Sequence, residues 1–313
     1  MPAKYGFFEP MLFTLGVVLA SATGTSAIAA PSSVEVRVIT SEKAREAAES
    51  VENAQVVKLA KGIKVDLWAS DALVDDPVAI SMDSAGNAWL TVTNRSNNSE
   101  FDIRGWPHWE ADTLSFNQVA DRRKFLREYF SSAKSLGADD IPDRNKDGVH
   151  DWRDLAVLKE EVLKVSDTDS DGLADRSQVV LKDFSDEVSG VLGGVYYDDA
   201  SDSVFLTVAP NAWRARDTTG DGYLDEKTSL AEGFGVHIGF SGHNMSGVTM
   251  GPDGRIYYGI GDIGAYITDL AATSTITPMK GSSCAVSPTA VTSKCLPAGF
   301  AIRTSSPLIN TGI

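Results

Sequence analysis

Polar and apolar positions along this chain fall into three kinds of stretch. The first alternates. Residues 77–94 (PVAISMDSAGNAWLTVTN) read as an apolar strand, a turn of Asp, Gly and Asn, and a second strand bearing an aromatic residue. Residues 194–210 (GVYYDDASDSVFLTVAP) and 247–262 (GVTMGPDGRIYYGIGD) repeat that shape. Alternation with β-branched and aromatic residues predicts strands, and Asp, Asn and Gly supply the turns between them. Ile63 to Ala69 also alternates and predicts one more strand. The second kind has helical spacing. Ser41 to Lys58 predicts a helix capped by Thr40 or Ser41. Residues 112–136 place Leu114, Phe116, Val119, Phe125, Leu126 and Phe130 at helical intervals, and residues 152–164 do the same with Leu155, Val157, Leu158, Val162 and Leu163. The third kind is rich in aspartate and forms short loops.

A strand–turn–strand unit that recurs must bury its faces against its neighbours, which predicts an all-β chain of propeller blades. Ordinary hairpins of a β-sandwich are the plainer alternative. A small α-helical insertion at residues 100–165 accounts for the uneven spacing of the copies. The organisation expected is a signal peptide at 1–29, a polar leader at 30–60 and a first propeller segment at 61–99. The insertion follows, then further propeller segments at 166–269 and a tail at 270–313.

The acidic loops have the spacing of calcium ligands. Asp143, Asn145, Asp147, Val149, Asp151 and Asp154 occupy positions 1, 3, 5, 7, 9 and 12 of an EF-hand-type loop, with Gly148 at position 6. Ca²⁺ takes six to eight oxygens, which alternate side chains and one backbone carbonyl can supply. Asp at position 12 suggests a looser, dockerin-like variant. Asp167, Asp169, Asp171, Leu173 and Asp175 repeat the pattern, as do Asp217, Thr219, Asp221, Tyr223 and Asp225. Gln178 and Thr228 stand at position 12 of these two, which weakens both. A solvated acidic turn is the bland reading of each.

The formal charge is −15, from 43 acidic and 28 basic residues, which argues against nucleic-acid binding. The N-terminus has Lys4, an apolar run from Leu12 to Ala22 and the small-x-small site Ala27-Ile28-Ala29. These predict export to the periplasm or the extracellular space, and the run is too short for a stable membrane span. Only two cysteines occur, Cys284 and Cys295, with no haem-attachment motif. No serine-hydrolase elbow, P-loop or zincin motif is present. Trp106, Trp109, Trp152 and Trp213 could form a sugar-stacking wall, though core packing is the commoner use of such residues.

The stretch 236–264 (VHIGFSGHNMSGVTMGPDGRIYYGIGDIG) draws these threads together. His243 precedes one predicted strand and Asp262 follows the next, so a hairpin brings an imidazole and a carboxylate to one mouth. His237 lies near the same turn, while His108 and His150 read as surface residues of the insertion. The pattern HNxSGxxxGPDGxIYYxxGDxG resembles the soluble glucose/sorbosone dehydrogenases, six-bladed β-propellers that use pyrroloquinoline quinone (PQQ). It resembles still more closely the propeller module of the large secreted membrane-bound-dehydrogenase proteins of planctomycetes and verrucomicrobia. The resemblance covers residues 60–269 apart from the insertion. It implies oxidation of a sugar or other alcohol, with His243 as general base, Asp262 beside it, PQQ as hydride acceptor and an electron acceptor such as a cytochrome c. Gly242 stands where the family often has Asp, and Ile267 is the nearest match to a catalytic Gln. A calcium-stabilised propeller that only binds or scaffolds is the reading from another class.

After Asp269 the chain becomes rich in Ser, Thr, Ala and Pro and lacks acidic residues. A shifted reading frame from the Pro278–Met279 junction permits a continuation ending EFAFDQYGN, which reproduces the blade phrase AISMDSAGN. The expectation is a frameshifted, disordered tail on an incomplete, inactive propeller fragment.

Overall fold

In the computed structural model, the described residues are 25–28, 34–54, 58–134, 140–268, 274–277, 282–286 and 293–297. They are mostly β-sheet with few helices. The strands are β1 (Thr25–Ala27), β2 (Val36–Val38), β3 (Pro77–Met82), β4 (Ala88–Val92), β5 (Glu160–Ser166), β6 (Arg176–Asp183), β7 (Gly194–Asp198) and β8 (Ser203–Val208). They continue with β9 (Asn211–Arg216), β10 (Glu226–Glu232), β11 (Met245–Met250), β12 (Ile256–Ile260), β13 (Ala265–Thr268), β14 (Ser274–Thr277), β15 (Ser282–Val286) and β16 (Ser293–Pro297). The helices are α1 (Ser41–Ala54), α2 (Glu110–Ser115) and α3 (Val119–Tyr129).

The strands build three larger antiparallel sheets. The first has the order β2-β6-β5-β4-β3, the second β1-β10-β9-β8-β7 and the third β11-β12-β15-β16, with β13 and β14 pairing as a separate hairpin. Strands β3 to β6 and β7 to β10 are thus two consecutive four-stranded meanders. Each is closed on its outer edge by a short strand from the N-terminal segment. Their first strands lie side by side, β3 against β7 and β7 against β11.

The core sits between the sheets. Trp89, Val162, Val180, Leu192, Val195, Val204 and Leu206 fill the space between the first and second. Phe205, Ala212, Leu230, Phe234, Met245, Ile256 and Tyr258 fill the space between the second and third. Phe205, Phe234 and Met245 are at most 1% exposed. Burial of each such side chain contributes about 1.5–3 kcal/mol.

Each of the three predicted hairpins is present, as β3–β4, β7–β8 and β11–β12. Helix α1 is present too, and Thr40 caps it by accepting from the Lys43 N–H at 3.3 Å. Other expectations need correction. Residues 152–164 are not a helix: a single 3₁₀ turn, Trp152–Ala156, leads into β5. The strand was hidden because both of its faces are buried: Val162 packs between the first two sheets and Leu163 and Val165 on the far face of the first, so apolar residues fall on consecutive positions and no half-buried alternation shows. The insertion therefore lies between β4 and β5 inside the first sheet, and it ends before residue 160 and not at 165.

Residues 112–136 hold two helices, because Phe116 to Gln118 is non-helical and Gln118 and Asp121 form a capping box for α3. Ile63 to Ala69 forms no strand; its alternation finds no sheet edge to join. Trp106, Trp109 and Trp152 do not line a wall. They pack with Phe101, Phe116, Phe125 and Phe130 as the aromatic core of the insertion, and Trp109 is 1% exposed. Trp213 packs on Phe184 under the Lys227 ammonium.

The stretch expected to be a disordered tail contains β14, β15 and β16. Cys284 is disulfide-bonded and nearly fully buried, and the register sets it opposite Cys295. A cross-strand pair of this kind gives a Ser/Thr-rich hairpin an anchor that composition does not reveal. The remainder of 270–313, including the Pro278–Met279 junction, lies outside the described residues, as does most of the predicted signal peptide. Residues 25–28 of that peptide form β1 and its continuation, with the Ile28 N–H donating to Asp225 O at 2.6 Å.

Candidate proton-transfer site

The β11–β12 ladder pairs Met245 with Ile260. That register puts residues 243 and 262 at the same end of the hairpin. His243 Nδ1 lies 3.2 Å from Asp262 Oδ2, and Asp262 Oδ1 takes a long bond of 3.4 Å from the Phe240 N–H. A neutral imidazole whose Nδ1 proton is held by the carboxylate presents a basic Nε2. The His243 side chain is 57% exposed and that of Asp262 19%, so the imidazole is the member a substrate can reach.

Two glycines permit this approach. A Cβ on Gly239 would lie 2.5 Å from Asp262 Oδ1, and one on Gly261 would lie 2.0 Å from the His243 carbonyl oxygen. Gly261→Ala is therefore expected to push residues 243 and 262 apart. Proton chemical shifts of the His243 ring would report it; an unchanged ring signal would contradict the packing described here.

The turn carrying His243 is braced from the insertion. Ile103 N–H donates to Gly239 O at 3.0 Å, and Ser241 N–H to Asp102 Oδ2 at 3.1 Å. Arg104 chelates the Asp102 carboxylate and holds it well below the usual carboxylate range. The same guanidinium lies 5.3 Å above the Phe240 ring, whose edge-to-face partner is His243 at 5.5 Å.

Behind the turn is a buried polar group that sequence reading missed. Glu100 Oε1 accepts from Asn244 Nδ2 at 2.9 Å, while Glu100 Oε2, Ser99 Oγ and Arg122 Nε are buried without partners. Burial pushes the Glu100 carboxyl up and Arg122 down to about 10. Together with His237 these groups line a cavity of about 20 Å³, room for a water molecule. His237 is buried and bonded through Nδ1 to Thr113 O at 2.7 Å, so it does not share the mouth with His243. Nothing in the local sequence pattern marks Glu100 or Arg122, since their relation to Asn244 is made only by folding. His108 and His150 contact Tyr129 OH and Ile141 O within the insertion.

The second and third acidic loops occupy equivalent places, joining β5 to β6 and β9 to β10, and their bonding is nearly identical. Asp167 and Asp217 accept from the N–H of Gly172 and Gly222 at 2.9 and 2.8 Å. Asp171 and Asp221 accept from those of Leu173 and Tyr223 at 3.0 and 2.9 Å. Asp175 and Asp225 each close their loop by accepting both the N–H and the hydroxyl of Thr168 or Thr218.

Single oxygens of Asp167, Asp169 and Asp171 lie within 4.8 Å of one another. Ser41 Oγ binds Asp169 at 2.5 Å and Arg45 binds Asp171 at 3.2 Å, so the N-terminus of α1 is tied to this loop. In the third loop, Thr219 lies 3.4 Å through its hydroxyl from Asp217 Oδ1.

In the first loop, Asp143 accepts from Asp147 and Gly148, Asn145 bonds Asp147, and Asp147 accepts from Val149. Asp151 and Asp154 are buried and cap the following 3₁₀ turn reciprocally. Asp154 also accepts from the N–H groups of Arg144 and Asn145. Asp151, Asp154, Asp175 and Asp225 are thus engaged in closing their loops. The oxygens left to a cation are those of positions 1, 3 and 5 and the carbonyl of position 7.

Fold and site thus define an all-β protein of stacked antiparallel sheets with a His–Asp pair at one mouth. The chain belongs to the family described as Domain of unknown function (DUF7133), whose model matches residues 49–296, well over half of the 313 residues. The match spans the insertion, the dyad and both cysteines. No curated protein matches the chain.

Proposed function

We propose that this chain is part of a six-bladed-type β-propeller and carries the proton-accepting half of a quinoprotein-like site that oxidises a sugar or other alcohol. The single observation that carries this reading is the His243–Asp262 pair, 3.2 Å apart and open to solvent on the imidazole side. His243 Nε2 takes the proton of the substrate hydroxyl, and Asp262 holds the ring and balances the charge it gains. The repeated four-stranded meander, with first strands side by side, supports the propeller reading.

By the resemblance, the hydride acceptor is PQQ. The described residues do not fit that group. The cavity behind the dyad, lined by neither His243 nor Asp262, holds about 20 Å³ and offers a tricyclic quinone no seat. Arg104, which lies over the Phe240 ring next to His243, is already chelated by Asp102. The chain's own contribution is therefore the proton and not the electrons.

The same mismatch favours the second reading, a calcium-stabilised propeller that binds or scaffolds, as does Ile267. That residue is buried at 3% exposure in β13, where no polar catalytic side chain would be tolerated. One experiment separates the two. Sugars are offered with PQQ, Ca²⁺ and a reducible dye. Turnover supports the dehydrogenase, and a Ca²⁺-dependent melting temperature with neither PQQ binding nor dye reduction supports the binding module.

Both readings place structural Ca²⁺ at the acidic loops, most strongly at the first. A ligand at a hundred times its Kd stabilises by about 2.7 kcal/mol per site. Chelation is thus expected to lower the melting temperature by several degrees, and Asp143→Asn with Asp147→Asn to remove part of that response. A melting curve indifferent to Ca²⁺ and chelator would remove calcium from the proposal.

Both readings also place the protein outside the cytoplasm. N-terminal sequencing of the exported protein is expected to begin at Ala30, which would remove β1 and uncover the outer edge of β10. A mature chain that retains Thr25 would overturn that cleavage site.

A further inference from the structure

We propose a second ligand site, for a neutral monosaccharide-sized molecule, in the cleft between the first and second sheets. It is remote from the dyad. Gly193, just before β7, packs on Met245 at the start of β11, so the dyad lies near the beginnings of these strands. The cleft lies beyond the other end of β7, beside Tyr197, Asp202 and the third acidic loop.

The cavity is about 160 Å³, several times the share of one water in the liquid (about 30 Å³). That size suits one sugar ring and excludes an oligosaccharide. Its floor is apolar: Val180, Val204 and Leu224 are at most 4% exposed. Water there finds few partners and is readily displaced by a molecule with an apolar face. One wall is the Trp89–Tyr197 pair, stacked at 4.5 Å with 11° between planes. Both rings are fixed by carboxylates, the Trp89 indole N–H by Asp83 at 3.1 Å and the Tyr197 hydroxyl by Asp202 at 2.7 Å. The pocket is therefore already shaped and needs little ordering.

The rim sets the charge of the occupant. Lys164 extends its ammonium over Trp89, 5.2 Å from the ring centre, and has no carboxylate partner among the described residues. Asp202 and Asp217 stand at the same pocket, and Gln178, held by its bond to Gly222 O at 2.8 Å, contributes an amide. The ammonium disfavours a cation beside it and Asp202 disfavours an anion, while both oxygens of Asp217 bond its own loop. A molecule with several hydroxyls satisfies both signs, since O–H groups donate to carboxylates and accept from the ammonium. An apolar ring face over Val180 and Val204 with hydroxyls at the rim is the chemistry of a pyranose. This site does not depend on the redox reading of His243.

Ligand-observed NMR and calorimetry on the full chain, with glucose, galactose and mannose as probes, test the proposal. At least one neutral sugar is expected to bind. Glucosamine and glucuronate, of the same ring but charged, are expected to bind more weakly. Loss of a charged hydrogen-bond partner in Lys164→Met or Asp202→Asn should weaken binding about tenfold or more. Tyr197→Phe should give a smaller loss. Near-ultraviolet circular dichroism checks that the variants stay folded. The proposal is overturned if no neutral sugar binds at tens of millimolar, or if binding survives both rim variants.

Discussion

Arg95→Met is expected to destabilise the fold by about 3–5 kcal/mol, the usual effect of breaking a buried charged network. Arg95 is fully buried. Its guanidinium donates to four carbonyls, those of Leu155, Leu158, Asp186 and Ser189, at 2.8 to 3.3 Å. Its own N–H donates to Glu160, also fully buried, which accepts as well from Thr93, Asn94 and Leu192.

These two residues join the end of β4, the return from the insertion and the connection into the second sheet. Burial lowers the Arg95 value to about 10, so it remains charged at neutral pH. Methionine would keep the apolar stem and the backbone bond to Glu160 but leave four buried carbonyls without their donor and remove the positive charge near that carboxylate. Arg95→Lys should recover little, because one ammonium cannot span a fork of four acceptors. With total stability on the order of 5–15 kcal/mol, urea unfolding should show a midpoint greatly reduced. A loss below about 1 kcal/mol would mean that the network is not a structural hub.

The second large effect concerns rate. On the proposed reading, the complete propeller carrying His243→Asn is expected to oxidise alcohols with kcat lowered by about 10²–10⁴-fold, the range for removing a general base, with little change in KM. The exposed side chain makes a folding defect an unlikely confounder, and an unchanged melting curve checks that. Asp262→Asn should lower kcat by a comparable factor, because an amide can hold the ring with its proton on Nε2, the atom that must accept one. Equal rates for wild type and His243→Asn would leave the dyad as a surface pair. The binding-module reading would then stand alone.

The sequence made the hairpins legible because each carries its own turn and alternation. The same local logic showed α1, the acidic loops and the His243–Asp262 pairing, since a hairpin's register is set within a few residues. What it hid depended on distant partners. β5 was masked because it is buried on both faces, Val162 on one and Leu163 on the other. β1 and β2 are too short to carry a pattern and exist only because β10 and β6 offer an edge. The Arg95–Glu160 hub, the Glu100–Asn244 contact and the cleft beside Trp89 all assemble from residues separated by tens to hundreds of positions. No local window contains them. The Trp residues follow the commoner expectation: Trp106, Trp109 and Trp152 fill a core.

The outer strand β1 has a consequence for the order of events as the chain is made. Thr25 meets Thr228 across 203 positions. At a synthesis rate of about 5–20 residues per second, that separation corresponds to roughly 10–40 s between the two ends of one ladder. Throughout that interval the earliest strand has no edge to join. It is then an extended, unclaimed segment at the front of the nascent polypeptide, available to whatever machinery reads the first residues to emerge. Once β10 exists, the same residues belong to the second sheet, and the opportunity to handle them as a leader has closed.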